Sequence, residues 1–149
     1  CHLAISMHTP IPSQRRDLMP AEKAFSITEI IDILHNYDFS KQRRLSFEYI
    51  VFKGVNDSLI YAKEIVKLLR GIECRVNLIR FHAIPDVDLE GVDMEAMTTF
   101  RDYLTQHGVF ATIRASRGED ILPLVECCLQ LNNRKRKVLH YSKLNNNII

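Results

Sequence analysis

Two histidines, two arginines, a lysine and an acidic pair stand at the ends of four apolar runs. They fall in Ser6-Met7-His8, Lys53-Gly54, Arg80-Phe81-His82 and Ser116-Arg117-Gly118-Glu119-Asp120. In parallel α/β folds the carboxyl ends of strands share one rim, where loops vary while the sheet stays rigid. His8 and His82 on such a rim could ligate a metal, as in a barrel metal-dependent hydrolase. Any one of these residues is also what a wet loop carries after a strand, so it is the set that points to a site. There is no His-x-His pair, and the five glycines are scattered singly, so a phosphate-cradling loop is missing. Cys127-Cys128 lacks the electropositive helix start that makes a thiol reactive. The Arg134–Lys137 run reads first as a solvated charge cluster and only second as a nucleic-acid contact.

These rim residues need elements to position them. Leu3 to Met7 is a short apolar run that predicts a buried strand, followed by a polar loop with Pro10, Pro12 and Pro20. Ser26 with Glu29 three residues on is a capping-box signature for a helix through about Tyr37. Leu45 to Phe52, rich in aromatic and β-branched residues, predicts a second strand. Asn56 or Asp57 can cap a helix over Ser58 to Arg70 that stops at Gly71. Arg75 to Phe81 predicts a strand, Asp93 to His107 a helix closed by Gly108, and Val109 to Ala115 a fourth strand. Strand and helix alternating at this spacing imply right-handed parallel βαβ units. The strands read as near-continuously apolar, which suits a sheet covered on both faces.

Composition narrows the class. The 149 residues are 46% hydrophobic and 26% charged, the balance of a folded domain or of one piece of a larger barrel. No apolar run approaches the roughly 18 residues of a membrane span. Four cysteines are too few and too uneven for a disulfide scaffold, which implies a reducing compartment, the cytoplasm. The chain opens on Cys1 and enters a strand at once, as a segment from within a longer protein would, and shows no signal peptide. The formal charge of +2 divides unevenly: from Leu122 onward five Lys/Arg face the single Glu126. Of 20 basic and 18 acidic side chains, residues 1–121 keep 15 and 17, a balance of −2. Only the tail is basic.

Whole phrases of the chain match a known family. Leu3-Ala4-Ile5-Ser6-Met7-His8, Arg15-Arg16-Asp17-Leu18-Met19-Pro20 and Phe47-Glu48-Tyr49-Ile50-Val51-Phe52-Lys53-Gly54-Val55-Asn56-Asp57 occur in order. They are followed by Cys74-Arg75-Val76-Asn77-Leu78-Ile79-Arg80-Phe81-His82-Ala83-Ile84-Pro85 and Arg114-Ala115-Ser116-Arg117-Gly118-Glu119-Asp120-Ile121. Over about residues 2–121 this resembles the carboxy-terminal half of the radical-SAM methyltransferases that modify carbon 2 of an adenine in 23S rRNA and tRNA. The resemblance implies an α/β fold, the later βα units of a partial (β/α)6 radical-SAM, TIM-like barrel truncated at its amino end. It implies S-adenosylmethionine and a 4Fe-4S cluster as cofactors, rRNA and tRNA as partners, no membrane, and a monomer when full length. Placed residue by residue, the family's cofactor-contacting Ser-Leu-His falls on Ser6, Met7 and His8, and its later contact asparagine falls on His82. Histidine offers one hydrogen bond from each ring nitrogen, where an amide offers donor and acceptor together. The family's proline before that aromatic residue is Arg80 here.

Two departures are larger. The cluster-binding Cys-x-x-x-Cys-x-x-Cys loop belongs to the family's earlier half, and nothing in this chain replaces it. After Ile121 the family has one residue and then Ala-Ala-Cys-Gly-x-Leu, whose cysteine carries the methyl group; Val125 stands at that cysteine's position. Leu122 to Arg134 can be back-translated so that another frame reads Ala-Ala-Cys-Gly-Met-Leu-Ser-Thr-Ala-Lys-Gln-stop. Residues 1–121 are therefore expected to be barrel sequence and residues 122–149 a frameshifted, non-native tail. An inserted segment that brings Cys128 to the carrier position is the alternative. The expected function is that of a fragment of an RNA adenine methyltransferase, inactive by itself. A non-catalytic remnant or binding module, and the metal-dependent hydrolase, stand as the other readings.

Overall fold

The computed structural model describes residues 2–39, 44–83 and 87–114. Four strands, β1 (His2–Ser6), β2 (Arg44–Val51), β3 (Arg75–Arg80) and β4 (Phe110–Arg114), pair in parallel in the order β1-β2-β3-β4. Helices make every crossover: α1 (Pro12–Leu18) and α2 (Ile27–His35), then α3 (Leu59–Leu68), then α4 (Met94–Gln106). The expected alternation and parallel sheet are what the chain forms, with element ends shifted by up to two residues.

Local chemistry sets those ends. Ser26 and Glu29 close a capping box at the start of α2. Asp93 caps α4 by accepting from Ala96 N–H at 2.8 Å. Gly108 leaves α4 with φ +89, a turn only glycine makes without strain. One region departs from the sequence reading. The predicted proline-rich loop contains α1 and a 3-10 turn, Pro20–Lys23, each opened by a proline in its first turn. Proline's fixed φ and missing N–H suit that position, so the residues read as loop markers act here as helix starts.

The helices pack on one face of the sheet. Leu45, Phe47, Tyr49 and Val51 of β2 meet Ile27, Ile31 and Leu34 of α2, Ile65 of α3 and Phe100 and Leu104 of α4 in one core cluster. The Tyr49 and Phe100 rings stack with centroids 5.5 Å apart. A second, smaller cluster of Ile50, Phe52, Ile79, Phe81 and Leu89 sits on the opposite face. Gly91 folds the following loop against it: a Cβ there would lie 2.1 Å from the Phe81 carbonyl oxygen. Lys53 N–H donates to the Glu90 carbonyl at 2.8 Å, which fixes that loop over the end of β2.

The strands depart from the near-continuously apolar character expected of them, because one side of the sheet carries buried polar residues. Ser46 and Glu48 are buried within β2 between the apolar Leu45, Phe47 and Tyr49. Among the described residues no helix is long and apolar enough to cross a membrane.

Candidate functional site on the polar face of the sheet

Parallel register lines up Ser6, Glu48, Asn77 and Thr112, one residue from each strand. Strand alternation puts Glu48 on the face opposite the neighbouring Phe47 and Tyr49, the face that does not meet the helices. The row is wired together. Thr112 Oγ1 donates to Asn77 Oδ1 at 2.9 Å, and Asn77 Nδ2 donates to Glu48 Oε1 at 2.8 Å. The other carboxylate oxygen, Glu48 Oε2, is buried with no hydrogen-bond partner. Arg114 lies 3.9 Å from it, beyond hydrogen-bond reach.

His8 stands where β1 ends. It holds φ 55, a left-handed conformation that histidine tolerates better than most residues. Its Nδ1 accepts from Ile50 N–H at 3.1 Å, so Nε2 carries the proton of the neutral ring. Nε2 is buried and has no partner. Burial, and then the nearby Arg15 guanidinium, lower the His8 pKa to about 4, so the ring is neutral at pH 7. Asn56 fixes this turn: its Nδ2 donates to the His8 carbonyl at 2.7 Å and to the Ile50 carbonyl at 2.8 Å. Its Oδ1 accepts from Phe52 N–H at 2.7 Å. Asn56 therefore ties the loop after β2 to the end of β1 and is not the helix cap expected for it. Asp57, the other expected cap, accepts from Gly54 N–H at 3.0 Å instead.

A buried ion pair anchors the same corner. Arg15 donates through Nε to the Met7 carbonyl at 3.1 Å and through Nη2 to the Ser6 carbonyl at 2.8 Å. Its remaining arm pairs with Glu22, and both side chains are almost fully buried. Glu22 in turn accepts from Ile27 N–H at 3.0 Å, at the start of α2, where the helix dipole favours an anion. Arg15 of α1 thus locks the Ser6 and Met7 carbonyls, at the end of β1, to the start of α2.

The residues singled out in the sequence have different fates. Ser6 lies in the polar row and His8 at its edge, but the Met7 side chain is fully buried in the helix-facing core. The Met7 backbone is engaged as well: its N–H donates to the Glu48 carbonyl at 2.9 Å, and its carbonyl accepts from Thr9 N–H at 2.7 Å besides Arg15 Nε. His82 follows β3 and is exposed, unlike His8 at 1% exposure. Lys53 is exposed and pairs with Glu90 at 3.1 Å, and Arg80 is half-buried in register with Val51. Arg117, Glu119, Asp120, Val125, Cys127, Cys128 and the Arg134–Lys137 run lie outside the described residues. Among the described residues no three His, Cys, Asp or Glu side chains gather to hold a metal. Sequence reasoning missed Glu48, Asn77, Arg15 and Asn56 as site residues. A carboxylate at the centre of the apolar run Leu45 to Phe52 was the available signal.

This face fits one cofactor and not the other. An unpaired buried acceptor and an unpaired buried donor suit a polar organic molecule such as S-adenosylmethionine. No set of thiolates among the described residues matches a 4Fe-4S cluster.

Comparison with known proteins gives a consistent picture, although no protein-family model matches the chain. It is 88% identical over 137 residues to a probable dual-specificity RNA methyltransferase RlmN of Phocaeicola vulgatus, covering 92% of this chain and 38% of that protein. The same named protein of Bacteroides thetaiotaomicron is 69% identical over 137 residues, and that of Nautilia profundicola 42% identical over 120. The chain therefore spans about two-fifths of the length of the first of these curated relatives. Among solved structures, a radical SAM methyltransferase from Sphaerobacter thermophilus matches with TM-score 0.74 and 38% identity, covering 80% of this chain and 35% of that one. A domain of a pyruvate-formate lyase-activating enzyme from Bacteroides vulgatus shares the fold, with TM-score 0.55 at 15% identity.

Proposed function

We propose, from this chain's place in the radical-SAM dual-specificity RNA methyltransferase family, that it is the cofactor-facing wall of an enzyme that methylates carbon 2 of adenine in 23S rRNA and tRNA. The observation that carries this is 88% identity over 137 residues to a relative of that name, joined to the fold match at TM-score 0.74. S-adenosylmethionine, used with a 4Fe-4S cluster, supplies the methyl group and the radical chemistry in such enzymes. The cluster ligands come from sequence outside this chain.

This chain's part is to bind, orient and exclude water. Ser6 and His8 form one contact with S-adenosylmethionine, with Met7 between them packed in the core, and His82 forms another from the end of β3. Arg15 and Asn56 act behind them by fixing the Ser6, Met7 and His8 carbonyls. Positions held by buried partners lose little entropy on binding, which is how a rigid strand end raises affinity. The neutral His8 donates a hydrogen bond without adding charge to the site.

Residues 1–121 form the barrel part and residues 122–149 a frameshifted tail in this reading. Similarity to the Nautilia relative runs for 120 residues, which supports this boundary, whereas similarity to the Phocaeicola relative runs for 137 and so takes in at least 16 residues beyond Ile121 (137 − 121), which counts against it. Genomic codons between Ile121 and Arg134 test the frameshift: codons unable to encode the alternate Ala-Ala-Cys-Gly reading would refute it. The full-length protein is a cytoplasmic monomer in this proposal, and the present chain alone is inactive. Methyl transfer to RNA by this polypeptide would overturn the latter. For the activity, residues 1–121 replace the matching stretch of the Phocaeicola relative, and 2-methyladenosine is measured in rRNA and tRNA by nucleoside mass spectrometry. Retained methylation is expected; a folded chimera that leaves both RNAs unmethylated would overturn the proposal.

A further inference from the structure

The segment after β3 returns to the sheet as a strap. Leu89 is buried in the smaller cluster with Ile50, Phe52, Ile79 and Phe81, while Val92, three residues on, is buried in the helix-facing core. The strap is thus anchored on both faces of the sheet, past the carboxyl end of β2. Between the anchors, Lys53 N–H donates to the Glu90 carbonyl at 2.8 Å, and Gly91 bridges to Phe52 in antiparallel sense. The Lys53–Glu90 ion pair at 3.1 Å adds little, because both side chains are exposed.

Gly91 is where the strap comes closest to its neighbour. A Cβ there would lie 2.1 Å from the Phe81 carbonyl oxygen, 3.0 Å from the carbonyl carbon and 3.6 Å from the Phe81 Cα. Non-bonded atoms pack at about 3.5 Å, so any side chain at this position displaces backbone. The requirement for glycine is steric, since the glycines with positive φ are Gly54, Gly71 and Gly108. The strap cannot retreat without drawing Leu89 or Val92 out of its cluster. The Phe81 ring is held too, packed on Phe52 with centroids 5.1 Å apart. Its carbonyl is freer, because Phe81 lies one residue past the last register pair of β2 and β3, Val51 with Arg80. That carbonyl belongs to the planar peptide joining Phe81 to His82, so moving the oxygen turns the His82 amide with it.

We infer that Gly91 is a positioning residue for His82: by seating the strap on the Phe81 carbonyl it fixes the Phe81–His82 peptide, and with it the reach of the His82 ring. His82 is exposed, so its main chain and not packing sets where that ring can go. His8 differs, being buried and fixed directly by Ile50 and Asn56. The inference rests on the proposed role of His82 as a contact to S-adenosylmethionine.

The test titrates the 149-residue chain with S-adenosylmethionine, followed by NMR, in native form and as Gly91→Ala, His82→Ala and the double variant. His82→Ala is expected to weaken binding about tenfold, the worth of one good hydrogen bond, and Gly91→Ala by about threefold to tenfold. The double variant is expected to bind no more weakly than His82→Ala, because Gly91 acts only through that ring. Coupling is reciprocal, so S-adenosylmethionine held by His82 steadies the strap in turn. Saturating the native chain should therefore slow hydrogen exchange at the Lys53 amide, which donates to Glu90, and this readout stands if Gly91→Ala fails to fold. Losses that add in the double variant would overturn the inference and leave Gly91 a residue of general stability. So would full affinity in Gly91→Ala, or Lys53 exchange unchanged by S-adenosylmethionine. Equal binding by native and His82→Ala chains removes His82 as a contact, and the inference with it, and leaves the methyltransferase reading to Ser6 and His8. Refusal of S-adenosylmethionine by the native chain overturns the cofactor-facing reading itself.

Discussion

Phe47 and Glu48 are consecutive in β2 and face opposite sides of the sheet. Phe47 belongs to a continuous core shared with α2, α3 and α4. Glu48 belongs to a row of polar residues, one from each strand, that lies outside that core. The two are buried to a similar degree, at 0% and 8% exposure, yet by different physics. Phe47 gains by leaving water, about 2–3 kcal/mol for a side chain of its kind. Glu48 must be compensated for leaving water, and only one of its oxygens is. The helix-facing side is built for stability and the opposite side retains unspent polar capacity, as a binding surface does.

Substitution separates the two faces. Phe47→Ala, measured by urea unfolding, is expected to cost about 3–5 kcal/mol, since it empties a closed site in the core. Arg15→Met comes next, at about 3 kcal/mol, because it leaves Glu22 as a buried unpaired charge. The double variant Arg15→Met with Glu22→Met should recover much of that loss; a double variant worse than the single one would contradict the pairing.

His8 adds a pH dependence. Its folded pKa of about 4 lies below the ordinary 6.5, so the unfolded chain takes up a proton first. Stability is therefore whole above pH 6.5 and falls as pH drops toward 4, by about 3 kcal/mol over that window. Unfolding free energies between pH 4 and 7 should show the slope in the native chain and its loss in His8→Asn. Glu48→Gln is the smallest expected effect on folding, about 1 kcal/mol or less, because Gln still accepts from Asn77. A loss as large as that of Phe47→Ala would erase the distinction between the faces.

How much of this was legible in the sequence differs between the same two faces. Helix-facing positions such as Ile27, Ile31 and Leu34 follow helical periodicity, and Leu45, Phe47, Tyr49 and Val51 follow strand alternation, so the fold could be read. The polar face could not be read in the same way, because register between strands is a tertiary fact. Nothing local states that Glu48 stands beside Ser6 and Asn77. Asn56 was mistaken for a helix cap because its type and position fit that role, while its three bonds reach Phe52, Ile50 and His8. Arg15 sat in a stretch read as loop, where a buried guanidinium is not expected. His8 was visible as a candidate, but its unpaired nitrogen was not.

The most direct measurement is a map of where S-adenosylmethionine touches the chain, from amide and side-chain NMR shifts on titration. Shifts concentrated at Ser6, His8, Glu48 and Asn77, with Phe47, Ile65 and Phe100 unmoved, are the expected result. Shifts confined to the helices α2–α4, or spread evenly over both faces of the sheet, would contradict the division of labour between them.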